Sequence, residues 1–145
     1  MLNAETLEMI YKLTLAAILG MSIGLEREYR GKPAGLRTYT LVALGAALFT
    51  LMSQQNFDAR AFDPSRIASQ VVVGIGFLGA GLIFLKGDTV QGLTTAAGLW
   101  VAAAIGMAVG FGFYVVAIYA TALAFLILWI LRKLEGRIPK NPLGS

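Results

Sequence analysis

Long apolar runs broken by short polar gaps dominate the chain. Five runs extend from about Leu7 to Leu25, Leu36 to Met52, Ile67 to Leu85, Leu93 to Val109 and Phe113 to Leu131. Each approaches the roughly 20 predominantly apolar residues that cross a hydrocarbon core about 30 Å thick. The pattern predicts an all-α fold, a polytopic membrane protein of five helices in one domain over residues 1–138, with a flexible tail at 139–145. Only the stretch from Gly110 to Gly112 separates the last two runs, which reads as a tight hairpin or as one long bent element. The hairpin is preferred, because a single helix from Leu93 to Leu131 would be about 58 Å long at about 1.5 Å per residue.

The polar gaps carry the orientation signal. Arg27, Arg30, Lys32 and Arg37 follow the first run, Arg60 and Arg66 the second, Lys86 the third, and Arg132, Lys133, Arg137 and Lys140 the fifth. Cytoplasmic loops are enriched in Lys and Arg, so this distribution predicts an outer N-terminus and a cytoplasmic C-terminus, with Asp58 and Asp63 offsetting the outer pair. Tyr114 and Trp129 fall near opposite interfaces; Trp100 lies deeper. Glu5 and Glu8 precede the first run where a signal peptide would carry basic residues, so a cleaved signal peptide is not expected. Lys12 lies inside the first run. It reads either as the partner of Glu8 at i,i+4, with its stem snorkelling outward, or as a functional intramembrane charge.

Composition narrows the chemistry. Hydrophobic residues make up 57% of the chain and charged residues 14%, and the mean hydropathy is +0.73, against about 25% charged residues in soluble domains. Cysteine and histidine are both absent. That removes disulfides, thiol nucleophiles, imidazole bases and the usual zinc sites, and leaves oxygen ligands for any hard cation. No cofactor is implied. The net charge of +4 resides in the gaps between spans and reads as topology, not as a nucleic-acid surface.

GIGFLGAG at 74–81 matches the letters of a dinucleotide-binding loop, but no strand precedes it and no acidic residue follows a second strand. On a helix, Gln70, Gly74 and Gly81 fall within about 40° of one another, with Gly76, Gly79 and Ala80 on another side. Small residues at helical spacing let membrane helices approach closely. The same spacing joins Gly20 to Gly24, Gly106 to Gly110, and Thr95, Gly98, Ala102 and Gly106. The expectation is a compact, self-associating bundle, a dimer favoured, with Gly79 or Gly106 as test positions for the subunit contact. Local unwinding at the glycines, exposing carbonyls to a cation, stays open as a second reading.

The first inner gap, GLEREYRGKPAGLRTYTLV, offers i,i+4 pairs Glu26–Arg30 and Glu28–Lys32 if the first helix continues beyond the membrane. Glu26 and Glu28 sit near a helix C-terminus and Arg37 near a helix N-terminus, where the macrodipole opposes each charge. Specific partners are therefore expected for them.

Three stretches, GLEREYRGKPAGLRTYTLVALGAALF, QVVVGIGFLGAGLIF and VQGLTTAAGLWVAAAIGMAVGFGFY, together resemble the signatures of the MgtC/SapB family of bacterial inner-membrane proteins. The resemblance covers roughly residues 5–131. Its pattern marks Gly24, Glu26, Arg27, Gly35, Leu36, Arg37 and Thr38, then Gln70, Gly74, Gly76, Phe77, Gly79, Ala80 and Gly81, then Gly92, Leu93, Thr94, Thr95, Ala96 and Trp100. It implies a multi-pass inner-membrane protein linked to magnesium homeostasis and virulence, a regulator acting through contacts with itself and other membrane proteins, some members restraining the ATP synthase. Many members continue into a soluble C-terminal domain. The chain ends at IPKNPLGS, so that domain is not expected in it; a naturally short member and a truncated chain are both open.

Two further functions remain in view. A Mg²⁺ transporter or channel would draw on Glu26, Glu28 and Asp88 at one surface and on the neutral oxygens of Thr38, Gln70, Thr94 and Thr95, but no acidic residue falls mid-membrane. An enzyme would need a base beside Thr94 or Thr95, and none is near in sequence; no enzymatic activity is expected.

Overall fold

The computed structural model describes residues 3–54 and 65–135. Helix α1 spans Ala4–Tyr29, α2 Leu36–Gln54, α3 Ser65–Ala80, α4 Leu93–Gly110 and α5 Tyr114–Glu135, with strands β1 (Phe84–Lys86) and β2 (Thr89–Gln91) between α3 and α4. The expected Asp58, Arg60 and Asp63 of the second gap, Arg137, Lys140 and the tail at 139–145 lie outside the described residues.

Local chemistry sets the ends of the helices. The Asn3 side chain accepts from the Thr6 amide at 2.9 Å and caps α1. At its other end Gly31 turns left-handed (φ 61°), and the amides of Gly31 and Lys32 close on the carbonyls of Glu28 and Arg27 at 2.9 and 3.1 Å. Gly112 (φ 87°) ends α4 the same way, its amide reaching the Val109 carbonyl at 2.9 Å and the Phe113 amide the Ala108 carbonyl at 2.8 Å. The stretch after Gly110 is therefore a tight hairpin between two helices, as its glycines imply.

One expectation is corrected between residues 67 and 91. The apolar run from Ile67 to Leu85 is not one helix; the fold is mostly helical, with five helices, and a short two-stranded hairpin interrupts this run. Helix α3 stops at Ala80, and Phe84, Leu85 and Lys86 pair antiparallel with Gln91, Val90 and Thr89. Gly87 adopts φ 59° at the first position of the two-residue loop Gly87–Asp88, the conformation that favoured hairpin turns require. Among the described residues, four helices are long and apolar enough to cross a membrane: α1, α2, α4 and Tyr114–Leu134 within α5. Helix α3 has 16 residues, about 24 Å at about 1.5 Å per residue.

The helices run up and down. Gln54 Nε2 donates to the Gly110 carbonyl at 3.1 Å, tying the C-terminal ends of α2 and α4. At that end of the bundle the Tyr11 and Tyr114 rings of α1 and α5 also meet edge to face, 5.7 Å apart. Lys12 and Glu8 pair at 2.8 Å, with the lysine side chain buried, so the ion-pair reading of Lys12 is the one the structure contains.

One face of α2 is the seam of the molecule. Tyr39, Ala43, Ala47 and Thr50 are fully buried and recur at the three- and four-residue spacing of a helix face. A Cβ on Gly20 of α1 would stand 2.6 Å from the Ala43 Cβ, and one on Gly24 would stand 2.9 Å from the Leu36 Cα. From the other side, a Cβ on Gly98 would strike the Tyr39 hydroxyl, one on Gly106 the Ala43 carbonyl, and one on Gly110 would lie 2.7 Å from the Thr50 Cβ. Ala43 is thus held between two glycines of different helices. The spacing of small residues packs α1, α2 and α4 at backbone contact within one chain.

Candidate functional site

Where α1 ends, α2 and α4 begin and α5 ends, the polar residues of the first and third signature stretches converge. Arg27 is 4% exposed although it stands in the last turn of α1. One guanidinium nitrogen donates to Thr95 Oγ1 on α4 at 3.2 Å. Another lies 3.7 Å from Glu26 Oε2, whose other oxygen holds Arg30 Nε at 3.3 Å. Tyr39 of α2 donates its hydroxyl to the Thr95 carbonyl at 3.2 Å. Three helices are thereby joined through one threonine. The positive charges of Arg27 and Arg30 compensate Glu26 where the C-terminal dipole of α1 disfavours it.

The node borders an open cleft of about 740 Å³, walled by the charged turn after α1, the β1–β2 hairpin, the first turn of α4 and the last turns of α5. Glu26, Arg27, Lys32, Thr94, Thr95 and Arg132 supply its polar surface, and Leu93, Leu128 and Leu131 part of its apolar wall. Glu26 Oε2 and Arg27 Nε, both buried, have no hydrogen-bond partner. Unpaired buried polar atoms are costly, and here they stand at the edge of a cavity.

Of the two expected i,i+4 pairs, Glu26–Arg30 forms and Glu28–Lys32 does not. The left-handed turn at Gly31 ends the helix before Lys32 can lie one turn above Glu28. Glu28 instead accepts from the Leu36 amide at 3.0 Å, so a carboxylate at the C-terminus of α1 becomes the cap of α2, where negative charge is favourable. Its carboxylate occupies the space that a Cβ of Gly35 would need.

Arg37 and Thr38 are turned away from this node. They line a second, mostly apolar groove of about 710 Å³ between α2 and α3, together with Gln70 and Gly74. Gly74 and Gly76 have open space where a Cβ would stand, Gly79 faces Ala96 of α4 at 3.6 Å, and Gly81 meets only carbonyls of its own turn. Phe77, between the two glycine faces, is 82% exposed. Gly81 follows the last residue of α3, and its amide still closes on the Phe77 carbonyl at 3.1 Å. Tyr39, the hub of both the seam and the node, was not among the expected site residues; its signal was a lone aromatic heading a line of small residues at four-residue spacing.

The sequence profile of the MgtC family matches residues 13–137. This chain belongs to the MgtC family. A protein of Escherichia coli K12 named "Putative magnesium transporter YhiD" is 48% identical over 139 residues, which cover 92% of this chain and 65% of that protein. Protein MgtC of Salmonella typhimurium is 45% identical over 136 residues, covering 94% of this chain and 58% of that protein. A Synechocystis relative, slr0014, is 44% identical over 139 residues. The chain therefore spans less than two thirds of the length of these relatives. No solved structure matches it at a significant level. Family membership and the apolar helices make this a multi-pass membrane protein of the magnesium-related MgtC family.

Proposed function

We propose that the chain is the membrane module of a magnesium-linked regulator, acting through helix contacts with itself and with other membrane proteins and not as a route for the ion. The observation that carries this reading is the seam: α1, α2 and α4 meet at backbone distance along Tyr39, Ala43, Ala47 and Thr50. Such packing favours a fixed scaffold. The exposed side of α3, with Phe77 and the open position at Gly76, is the face such a scaffold would offer to a partner helix or a second copy, a dimer being the simplest assembly.

Magnesium transport is the alternative. The printed name of YhiD favours it, and so does the placement of Glu26, Thr94 and Thr95 on an open cleft. Purified protein reconstituted in liposomes loaded with a Mg²⁺-sensitive dye is expected to give no flux above empty vesicles. Flux above that background, abolished by Glu26→Gln in a variant that still folds, would replace the regulator with a transporter.

The orientation proposed is an outer N-terminus and a cytoplasmic C-terminus in the bacterial inner membrane, which puts the cleft on the cytoplasmic side. It is supported by Arg27, Arg30, Lys32, Lys86, Arg132 and Lys133 gathering at one end. The chain has no cysteine, so a single one introduced as Asp88→Cys reports topology directly. An impermeant thiol reagent should label it in inside-out membrane vesicles and not in intact spheroplasts; the opposite pattern reverses the orientation.

A further inference from the structure

The cleft beside Arg27 has the chemistry of an anion site. Three cations, Arg27, Lys32 and Arg132, border it against one carboxylate, Glu26. Glu26 is already engaged by Arg30 as well as by Arg27, so the surplus positive charge belongs to Lys32, Arg132 and the part of Arg27 that Glu26 leaves unsatisfied. Helix α4 begins on the same cleft, and its N-cap, Gly92, makes no side-chain capping bond. The first amides of a helix have no intrahelical acceptor and carry the positive end of its dipole, which together make an anion-binding end. A left-handed glycine (φ 91°) holds this turn against the Leu82 carbonyl, leaving no room for a side chain there. Arg27 itself is 4% exposed and borders the cleft; two of its nitrogens engage Thr95 and Glu26 and its Nε has no acceptor, while Glu26 Oε2 beside it accepts no hydrogen bond.

From this juxtaposition we infer that the cleft binds a phosphoryl group, with Arg27, Lys32 and Arg132 and the first amides of α4 as its donors. A phosphate has several acceptor oxygens diverging from one centre, which suits donors that arrive from α1, α4, α5 and the turn after α1. A planar carboxylate would engage fewer of them. Thr94 and Thr95, both on the cleft, add side-chain hydroxyls at the same turn. The group has two sources of identical chemistry, a soluble phosphate from the aqueous side or the headgroup of an anionic lipid whose chains lie along Leu128 and Leu131. The inference does not depend on whether magnesium crosses the membrane.

The test titrates the whole chain, purified in a neutral maltoside detergent, with inorganic phosphate by calorimetry. A parallel titration uses mixed micelles containing phosphatidylglycerol, with phosphatidylcholine as control. Saturable binding of inorganic phosphate supports a soluble source, and binding of phosphatidylglycerol alone supports the lipid. In either case Lys32→Gln with Arg132→Gln, both at exposed positions, is expected to weaken affinity by about tenfold or more while the helical circular dichroism is unchanged. Absence of binding in both titrations overturns the inference, and so does binding that the double variant leaves unaltered.

Discussion

Gly106→Leu is expected to abolish the native bundle, because there is no space into which the new side chain can go. A Cβ on Gly106 would strike the backbone carbonyl of Ala43, and a carbonyl in the middle of α2 cannot rotate aside without breaking that helix. Nor can α2 retreat: on its other side a Cβ on Gly20 would lie only 2.6 Å from the Ala43 Cβ, so α1 already fills that direction. Overpacking typically costs about 1–3 kcal/mol when side chains can shift. Against backbone on both sides, a loss of about 3 kcal/mol or more is expected, read as a lower midpoint in reversible unfolding in mixed micelles. Even Gly106→Ala should be destabilising. Gly76→Leu is the matched control: nothing stands within 4 Å of a Cβ there, so its folding should be unchanged. A Gly106→Leu protein as stable as the parent would refute the seam. The result also revises where self-association should be sought. Gly106 and Gly79 both face neighbours within the chain, and Gly74 and Gly76 are the open positions, so a change of oligomer size belongs with Gly76→Leu.

The spans were legible because membrane helices must satisfy their backbone internally and present apolar side chains nearly all round, which leaves an unmistakable run. The same property hid the end of α3. Residues 81–85 are as apolar as the helix before them, and a window of about 20 residues passes over Lys86-Gly87-Asp88-Thr89, whose turn chemistry signals a hairpin. Helical spacing identified the glycines but not their partners, since a small face fits a neighbour in the same chain and one in another chain equally well. At the site, Glu26–Arg30 followed from i,i+4 spacing, whereas Glu28 found its partner only after Gly31 reversed the chain. The bond from Arg27 to Thr95 joins residues 68 apart, and no local pattern encodes such a contact. What the sequence did offer was indirect: charges opposed to their helix dipoles call for compensating partners, and Glu26 and Glu28 have them, whereas Arg37, for which a partner was equally expected, lines the α2–α3 groove without an ion pair among the described residues.

Arg27→Met should carry the largest effect of any charge substitution. The side chain is 5% exposed and its Glu26 partner 10% exposed, so removing the guanidinium leaves a carboxylate buried with less compensation and breaks the link to Thr95 that joins α1 to α4. Losing one member of a buried pair typically costs about 3–5 kcal/mol. Arg30 remains on Glu26 Oε1 at 3.3 Å, and its side chain is 30% exposed, which lowers the expectation to about 2–3 kcal/mol. The sign of the coupling is the decisive part. Glu26→Gln added to Arg27→Met removes the uncompensated charge, so the double variant should be more stable than Arg27→Met alone, by about 1 kcal/mol or more. Arg27→Lys keeps the charge but not the fork that reaches Glu26 and Thr95 together, and should fall between parent and Arg27→Met. If instead the two single substitutions add without coupling, Arg27 stabilises the bundle by filling space, and the ion pair contributes little to holding α1 against α4.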